Sequence, residues 1–352
     1  MSRNSNSQNY LSTESEAQKR HNYTLIIIIL IAVLITAILC SIGLGRYPIP
    51  IRILAARLIP GFDPGEAFSP QAEAILFNVR LPRIILAVLV GCCLSAAGAA
   101  YQGVFRNPMA SPDILGASAG AATGAVIAML LQFSSQMVIL FAFCGSLITI
   151  AAVMFISRAA RGNKLLGIIL AGIMVSSLCN AVTSYVKLVA DPNDVLPNIT
   201  YWLMGSLGKT KPESLRFAVI PMVIGLVPLI LLRWRINLLT LSDSEARTMG
   251  VNAGRVRLIV IISATLITAA SVSVSGLIGW VGLVVPHLTR RLVGNNYRHL
   301  MPTSMLCGAI FLLIVDNVSR NLLLTEIPIG ILTAVIGAPF FIWLITRKQE
   351  AI

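Results

Sequence analysis

The stretch TLIIIILIAVLITAILCSIGL, residues 24–44, is a run of 21 nearly uninterrupted apolar residues. A helix needs about 20 mainly apolar residues to cross a bilayer. A signal peptide would have a shorter apolar core and a small-residue cleavage site, and this stretch has neither. It therefore predicts a membrane-spanning helix that stays in the protein. The polar residues 1–23 before it predict a disordered tail.

Composition places the whole chain in the same class as this stretch. Hydrophobic residues make up 56% of the 352 positions and charged residues 12%, whereas soluble domains carry about 25% charged residues. The mean hydropathy is +0.84. We predict an all-α polytopic membrane protein with one transmembrane domain over 24–347. The net charge of +13 does not indicate nucleic acid as a partner, because the basic residues lie in short loops between apolar segments.

Apolar runs of spanning length recur along the chain and predict about ten transmembrane helices. They lie at 24–44, 82–105, 114–132, 137–156, 165–190, 215–232, 256–274, 277–292, 302–315 and 328–346. An even number of spans puts both termini on one side of the membrane. With that side inside, the inner segments hold 17 of the 27 basic residues but six of the 14 acidic residues. The positive-inside rule therefore predicts that both termini are cytoplasmic.

The segment RWRINLLTLSDSEARTMGVNAGRVR, Arg233 to Arg257, is a charged loop between two apolar runs. It predicts two short helical pieces, with turns at Gly250 and Gly254. Ser242 or Asp243 is the candidate N-cap of the second piece, and Gly250 is its stop. The pattern alone fits two interpretations, a folded element that docks a soluble partner or a solvated amphipathic loop.

Several functions lack the residues that they need. Gly208-Lys209-Thr210 resembles the end of a phosphate-binding loop, but the required earlier glycine is replaced by Leu203. No catalytic constellation and no metal-ligand spacing is visible, and the six cysteines lie within apolar runs. An ion-gradient-driven secondary transporter, the main alternative, would need an ionisable group near mid-membrane. Asp316, at the edge of a span, has Arg320 four residues on and is interpreted as half of a structural ion pair.

Five ordered blocks carry a resemblance to a known family. They are RLPR at 80–83, GAAYQGVFRNPMASPDILGASAGA at 98–121, LSDSEARTMGV at 241–251, SGLIGWVGLVVPHLTRRLVG at 275–294 and EIPIGILTAVIGAPFFIWLI at 326–345. In order and spacing they resemble the FecCD/BtuC-like permeases, the iron–siderophore, haem and vitamin B12 class of ABC importers.

That resemblance implies a fold, partners and a location. The fold is that of a type II ABC importer permease, with ten spans per subunit, in a bacterial or archaeal cell membrane. Such permeases work as a pair, a homodimer or a paralogue heterodimer, with two cytoplasmic ATPase subunits that bind ATP and magnesium. An extracytoplasmic substrate-binding protein delivers the substrate. A ferric siderophore is the expected substrate, with haem, cobalamin or an oxyanion as alternatives. No cofactor or metal is expected on this chain.

The resemblance also assigns site residues. The cytoplasmic loop at about 234–257 becomes the element that couples to the ATPase, through Leu241, Ser242, Asp243, Glu245, Ala246, Arg247 and Gly250. The turn Asn107-Pro108-Met109 matches the cytoplasmic gate. The docking residues for the binding protein are Arg80, Arg83 and Arg320. Pro82 at a helix start would hold Arg80 and Arg83 outward, and the alternative is that they are interfacial anchors that snorkel to lipid headgroups.

Overall fold

The computed structural model describes residues 3–45, 47, 69–159, 164–241 and 243–346. Across these residues every regular element is a helix. The helices are α1 Arg3–Gly43, α2 Pro70–Phe105, α3 Ala117–Leu130, α4 Ser135–Arg158, α5 Lys164–Val189, α6 Val195–Leu203, α7 Pro212–Leu231, α8 Arg233–Leu239, α9 Asp243–Thr248, α10 Ala253–Ser275, α11 Val281–Val293, α12 Tyr297–Asn321 and α13 Ile329–Thr346. Helix α2 contains one π-helical turn, Leu76–Arg80.

Each of the ten predicted spans coincides with a helix, and seven of the described helices are long and apolar enough to cross a membrane. The two shorter apolar helices are α3 and α13. Helix α11 has 13 residues and ends in Arg290 and Arg291, which shortens its apolar length. The all-α polytopic fold is therefore confirmed. Helix α6 is an additional short element that the apolar runs did not predict.

Helix α1 begins well before its apolar run. Its backbone is helical from Arg3, so the expectation of a disordered tail over 1–23 differs from the structure, in which 3–23 extend the first span. The physical reason is that extending an existing helix adds one hydrogen bond per residue fixed and avoids the cost of nucleation.

Close backbone contacts place α2, α10 and α12 at the centre of the bundle. A Cβ added at Gly91 of α2 would lie 2.2 Å from the carbonyl oxygen of Gly308 in α12. One added at Gly98 would lie 1.8 Å from that of Gly282 in α11. Glycine is needed at both positions because any side chain would force the two backbones apart.

The glycines of α3 have a packing role. A Cβ at Gly120 would lie 2.6 Å from the carbonyl oxygen of Gly145, and one at Gly124 would lie 2.0 Å from that of Phe141. Both partners belong to α4, so the small face of α3 is closed by a neighbouring helix.

Helices α2 and α12 run antiparallel along the bundle and define its two ends. Arg83, just after the π-helical turn of α2, contacts Asp316 near the end of α12. At the opposite end, α2 finishes at Phe105 and α12 begins at Tyr297. We refer to these as the α2 N-terminal end and the α2 C-terminal end.

Candidate functional site

A buried cluster of charged residues occupies the α2 N-terminal end. Arg83 donates from Nε to Asp316 Oδ1 at 2.9 Å and from Nη1 to Glu326 Oε1 at 2.8 Å. The second carboxylate oxygen of Asp316, Oδ2, lies 3.8 Å from Arg320 Nε. The expected Asp316–Arg320 pair is thus present, but Arg83 is the closer partner. One carboxylate serves two guanidiniums from two helices, and this joins α2 to α12.

The other guanidiniums of this cluster hold α1. Arg80 donates to the carbonyl oxygen of Ile42 at 2.6 Å and to that of Tyr47. Arg320 donates from Nη2 to the carbonyl oxygen of Ser41 at 2.9 Å and to its hydroxyl oxygen at 2.6 Å. Helix-end carbonyls lack intrahelical donors, and cations near a helix C-terminus are favoured by its dipole. The two arginines therefore cap α1.

The expectation that Arg80 and Arg83 point outward is wrong in this structure. Arg80 is 4% exposed and Arg83 is 5% exposed. Pro82 does lie at the start of the regular α-helix, but it does not decide where the side chains go. Acidic and carbonyl partners on α1, α12 and the following turn are close enough to draw the guanidiniums inward, and buried charges require such partners.

The predicted coupling segment forms two short helices, α8 and α9, at the α2 C-terminal end. Gly250 has φ +75° and ends α9, as predicted. Its N–H donates to the carbonyl oxygen of Arg247 at 2.9 Å, and Val251 N–H donates to that of Ala246 at 3.0 Å. This pair of bonds is a Schellman motif, which requires a left-handed residue and therefore favours glycine.

The described side chains of α9 differ in exposure. Ala246 is buried, whereas Glu245, Arg247 and Met249 are exposed, Met249 to 61%. Gly254 does not form the second predicted turn, because it lies in the first turn of α10, which Asn252 caps by accepting from Arg255 N–H. Ser242 lies outside the described residues, and Asp243 is the first residue of α9.

The turn predicted as a gate lies directly after α2. The side-chain oxygen of Asn107 accepts from the N–H of Met109 at 2.9 Å, and its carbonyl oxygen accepts from Ala110 N–H at 3.0 Å. These bonds fix the shape of the turn around Pro108. Met109 is 43% exposed, which leaves an apolar side chain uncovered at the end of the bundle.

Arg106 connects that turn to the coupling segment. Its Nε donates to the carbonyl oxygen of Leu239 at 2.8 Å, and its Nη2 donates to that of Leu241. Leu239 is the last residue of α8, and Leu241, a predicted coupling residue, lies two positions before α9. The gate turn and the coupling segment are therefore in direct contact through one side chain.

A second arginine joins three helices nearby. Arg290 of α11 donates to Gln102 Oε1 of α2 and, at 3.0 Å, to the hydroxyl of Tyr297 in α12. Asn237 of α8 accepts from Tyr297 N–H at 2.8 Å and donates to Asn296 at 2.9 Å. This network holds α8 against the ends of α2 and α12.

Sequence reasoning missed Glu326, Arg106, Gln102, Arg290 and Met249. All five lie within the quoted motif blocks, but the blocks do not show which residues contact one another. The contacts join distant segments: Arg106 is 133 residues from Leu239 and Arg290 is 188 residues from Gln102. Within the described residues, no three His, Cys, Asp or Glu side chains form a group that could hold a metal ion.

Known proteins share this architecture. The model of the FecCD transport family matches residues 26–347. The chain is 39% identical over 324 residues to the molybdate import system permease protein MolB of Haemophilus influenzae, covering 91% of this chain and 95% of that protein. It is 40% identical over 275 residues to a Helicobacter pylori protein named for iron chelatin transport, covering 78% and 83%.

A solved structure agrees with these relatives. It is an inward-facing conformation of a metal-chelate type ABC transporter, with a TM-score of 0.83 and 38% identity over 92% of this chain and all of that one. The sequence blocks, the helical bundle and both kinds of comparison lead to one conclusion. The chain belongs to the FecCD transport family.

Proposed function

We propose that this chain is the permease subunit of an ABC importer that brings a ferric siderophore or a related metal chelate into the cytoplasm. The observation that carries the proposal is the family match over 26–347. The arrangement of α8 and α9 supports it, because a folded, exposed element at the end of a membrane bundle suits a soluble partner. An ion-gradient-driven transporter remains the alternative to be tested.

The proposed orientation places the α2 C-terminal end in the cytoplasm. Arg106, Arg290, Arg291 and Arg298 lie at or near this end, as the positive-inside rule favours. Both termini would then be cytoplasmic. A cytoplasmic ATPase would bind α9 through its exposed residues and would carry the ATP and magnesium, and this chain would contribute movement but no catalysis. The exposed Met249 is a suitable apolar contact for such a partner.

An extracytoplasmic binding protein would dock at the α2 N-terminal end. Arg80, Arg83 and Arg320 remain the proposed docking residues, but their burial changes how they would act. Acidic residues of the binding protein would compete with Asp316 and Glu326 for the guanidiniums. Glu326 is the more replaceable partner, since its side chain is 28% exposed whereas that of Asp316 is fully buried.

A second permease subunit would complete the transport pathway. We propose that the turn Asn107-Pro108-Met109 closes that pathway toward the cytoplasm. The uncovered thioether of Met109 supports this role, because a flexible apolar side chain fills an irregular gap closely and separates again without breaking a polar contact. The partner would be a second copy of this chain or a paralogue.

The candidate substrates fall into two chemical classes, metal chelates and oxyanions. A ferric siderophore is favoured by the iron chelatin relative and by the metal-chelate transporter structure. Molybdate is favoured by a relative that covers 91% of this chain. The two differ greatly in size, so they would need different pathway widths.

Uptake by cells distinguishes the candidates. A host that lacks its own systems would express this permease with its ATPase and binding protein, and would be given radioactive iron bound to a siderophore or radioactive molybdate. We expect accumulation of iron and none of molybdate. Accumulation of molybdate alone would replace the chelate with an oxyanion while leaving the importer assignment intact.

A further inference from the structure

Arg106 has a backbone conformation that an arginine rarely adopts. It ends α2 with φ 52° and ψ 32°, in the left-handed region. Helices end this way most often at glycine, because a Cβ clashes with the backbone there. Among the described residues only Gln132 and Trp280 share a positive φ without being glycine. Local geometry alone therefore favours glycine at this position.

The side chain supplies the reason for an arginine. The guanidinium crosses from α2 to α8 and donates to the carbonyl oxygens of Leu239 and Leu241. Leu239 is the last residue of α8, where intrahelical donors are missing, and Leu241 lies between α8 and α9. Two donors on one rigid planar group fix the distance and the angle between the end of α2 and the segment that leads into α9.

The body and the C-terminal end of α8 are held by different contacts. Asn237 is bonded to the turn before α12, and Ile236 packs against Gly103 so closely that an added Cβ would lie 2.4 Å from it. These contacts hold the body of α8 to the bundle. Arg106 holds the exit of α8, which is the part nearest α9.

The gate turn follows Arg106 without a flexible link. Asn107 bonds to the N–H of Met109 and to that of Ala110, so residues 107–110 move as a unit. A displacement of the α8–α9 connection would pull on the guanidinium, and the guanidinium would move this unit. The contact chain from Leu241 to the gate turn contains one side chain, that of Arg106.

We propose that Arg106 is a positioning residue that transmits movement of the coupling segment to the gate turn. The proposal rests on the proposed function, in which an ATPase moves α9 and Met109 lines the gate. It adds the link between them. Because the link passes through a side chain, it is removable without changing either element.

Arg106→Gly tests the link, since glycine suits the left-handed backbone and removes only the side chain. Gln132→Gly is the matched control, because Gln132 has φ 56°, follows α3 and is exposed. Both changes relieve the same backbone strain. Each would be made in a variant with the six native cysteines replaced and with Met109→Cys as a reporter, assembled with the ATPase in inside-out vesicles.

The measurement is the rate at which a maleimide modifies the reporter cysteine, with ATP plus vanadate and without nucleotide. In the reporter background we expect the two rates to differ. In Arg106→Gly the two modification rates should become nearly equal. This removes a difference of roughly tenfold between them, which corresponds to about 1.4 kcal/mol of coupling, while ATP hydrolysis continues. Gln132→Gly should keep the ratio of the background.

If Arg106→Gly keeps the full difference in modification rate between the two nucleotide conditions, the proposal is overturned. It is also overturned if Gln132→Gly loses as much of that difference, because the effect would then come from the backbone change. Arg106→Lys keeps the charge but not the two-pronged geometry, so we expect an intermediate ratio, and an unchanged ratio would also contradict the link. ATP hydrolysis that depends on the permease in all of these variants would leave the importer assignment standing whatever Arg106 does.

Discussion

Arginine side chains brace both ends of α2, but the partners at the two ends differ. At the N-terminal end, Arg83 pairs with the carboxylates of Asp316 and Glu326. At the C-terminal end, Arg106 and Arg290 donate to backbone carbonyls and neutral side chains. Removing one partner of a buried ion pair leaves an uncompensated charge, whereas a bond to a neutral oxygen is exchanged at lower cost.

This difference suits the two ends to different tasks. The N-terminal end pairs Arg83 with two carboxylates of the same chain, Asp316 and Glu326, which favours one fixed arrangement of α1, α2 and α12. At the C-terminal end, hydrogen bonds from arginines to neutral oxygens hold the gate turn and the coupling segment. These bonds can rearrange without leaving a carboxylate unpaired. We expect changes at the first end to affect stability and changes at the second end to affect transport.

The largest expected effect is that of Asp316→Ala. It removes the carboxylate shared by Arg83 and Arg320 and leaves two buried guanidiniums without it. The expected loss of stability is about 3–5 kcal/mol, measured as thermal unfolding of the purified protein in detergent. Asp194→Ala is the control, because Asp194 is exposed and, as the N-cap residue of α6, should cost only about 1 kcal/mol. Equal shifts in the two variants would remove the contrast between the ends.

Gly250→Val should affect function more than stability. The left-handed backbone of Gly250 costs a non-glycine residue about 1–2 kcal/mol, which would distort the end of α9. A Cβ there meets nothing within 4 Å, so the bundle should stay folded. We expect ATP hydrolysis to continue with little uptake, measured together in vesicles. Gly254→Val, in the ordinary helix of α10, should transport normally, and normal transport by Gly250→Val would exclude this turn from coupling.

The smallest expected effect is that of Glu326→Gln. It removes the half-buried carboxylate that competes for Arg83 and should strengthen capture of the binding protein by up to about tenfold, or 1.4 kcal/mol. Binding to the permease in lipid nanodiscs measures this, with Glu213→Gln at the start of α7 as the control. Weaker capture by Glu326→Gln would mean that Glu326 itself contacts the binding protein.

How much the sequence predicts differs between the fold and the site. Apolar length predicted the spans, because this signal is local. The Schellman turn at Gly250 was visible for the same reason. These features depend on residues within one or two turns of each other.

The direction of the arginines was not predictable in this way. Arg83 has its partner 233 residues away, at Asp316, and only the folded bundle brings them together. A motif such as RLPR therefore locates the residues without saying whether they face a partner protein or the interior. The helical backbone before Asn22 was missed because polar composition says little about a segment that continues an existing helix.

The most direct test of the importer assignment is the energy source of uptake. The permease would be reconstituted in proteoliposomes with its ATPase and binding protein, and ferric siderophore uptake would be measured with magnesium and ATP at the ATPase side, with ADP in place of ATP, and with ionophores that collapse ion gradients. We predict uptake that requires ATP and persists when the gradients are collapsed. Uptake that proceeds without ATP and stops when an ion gradient is collapsed would contradict the assignment and establish a secondary transporter.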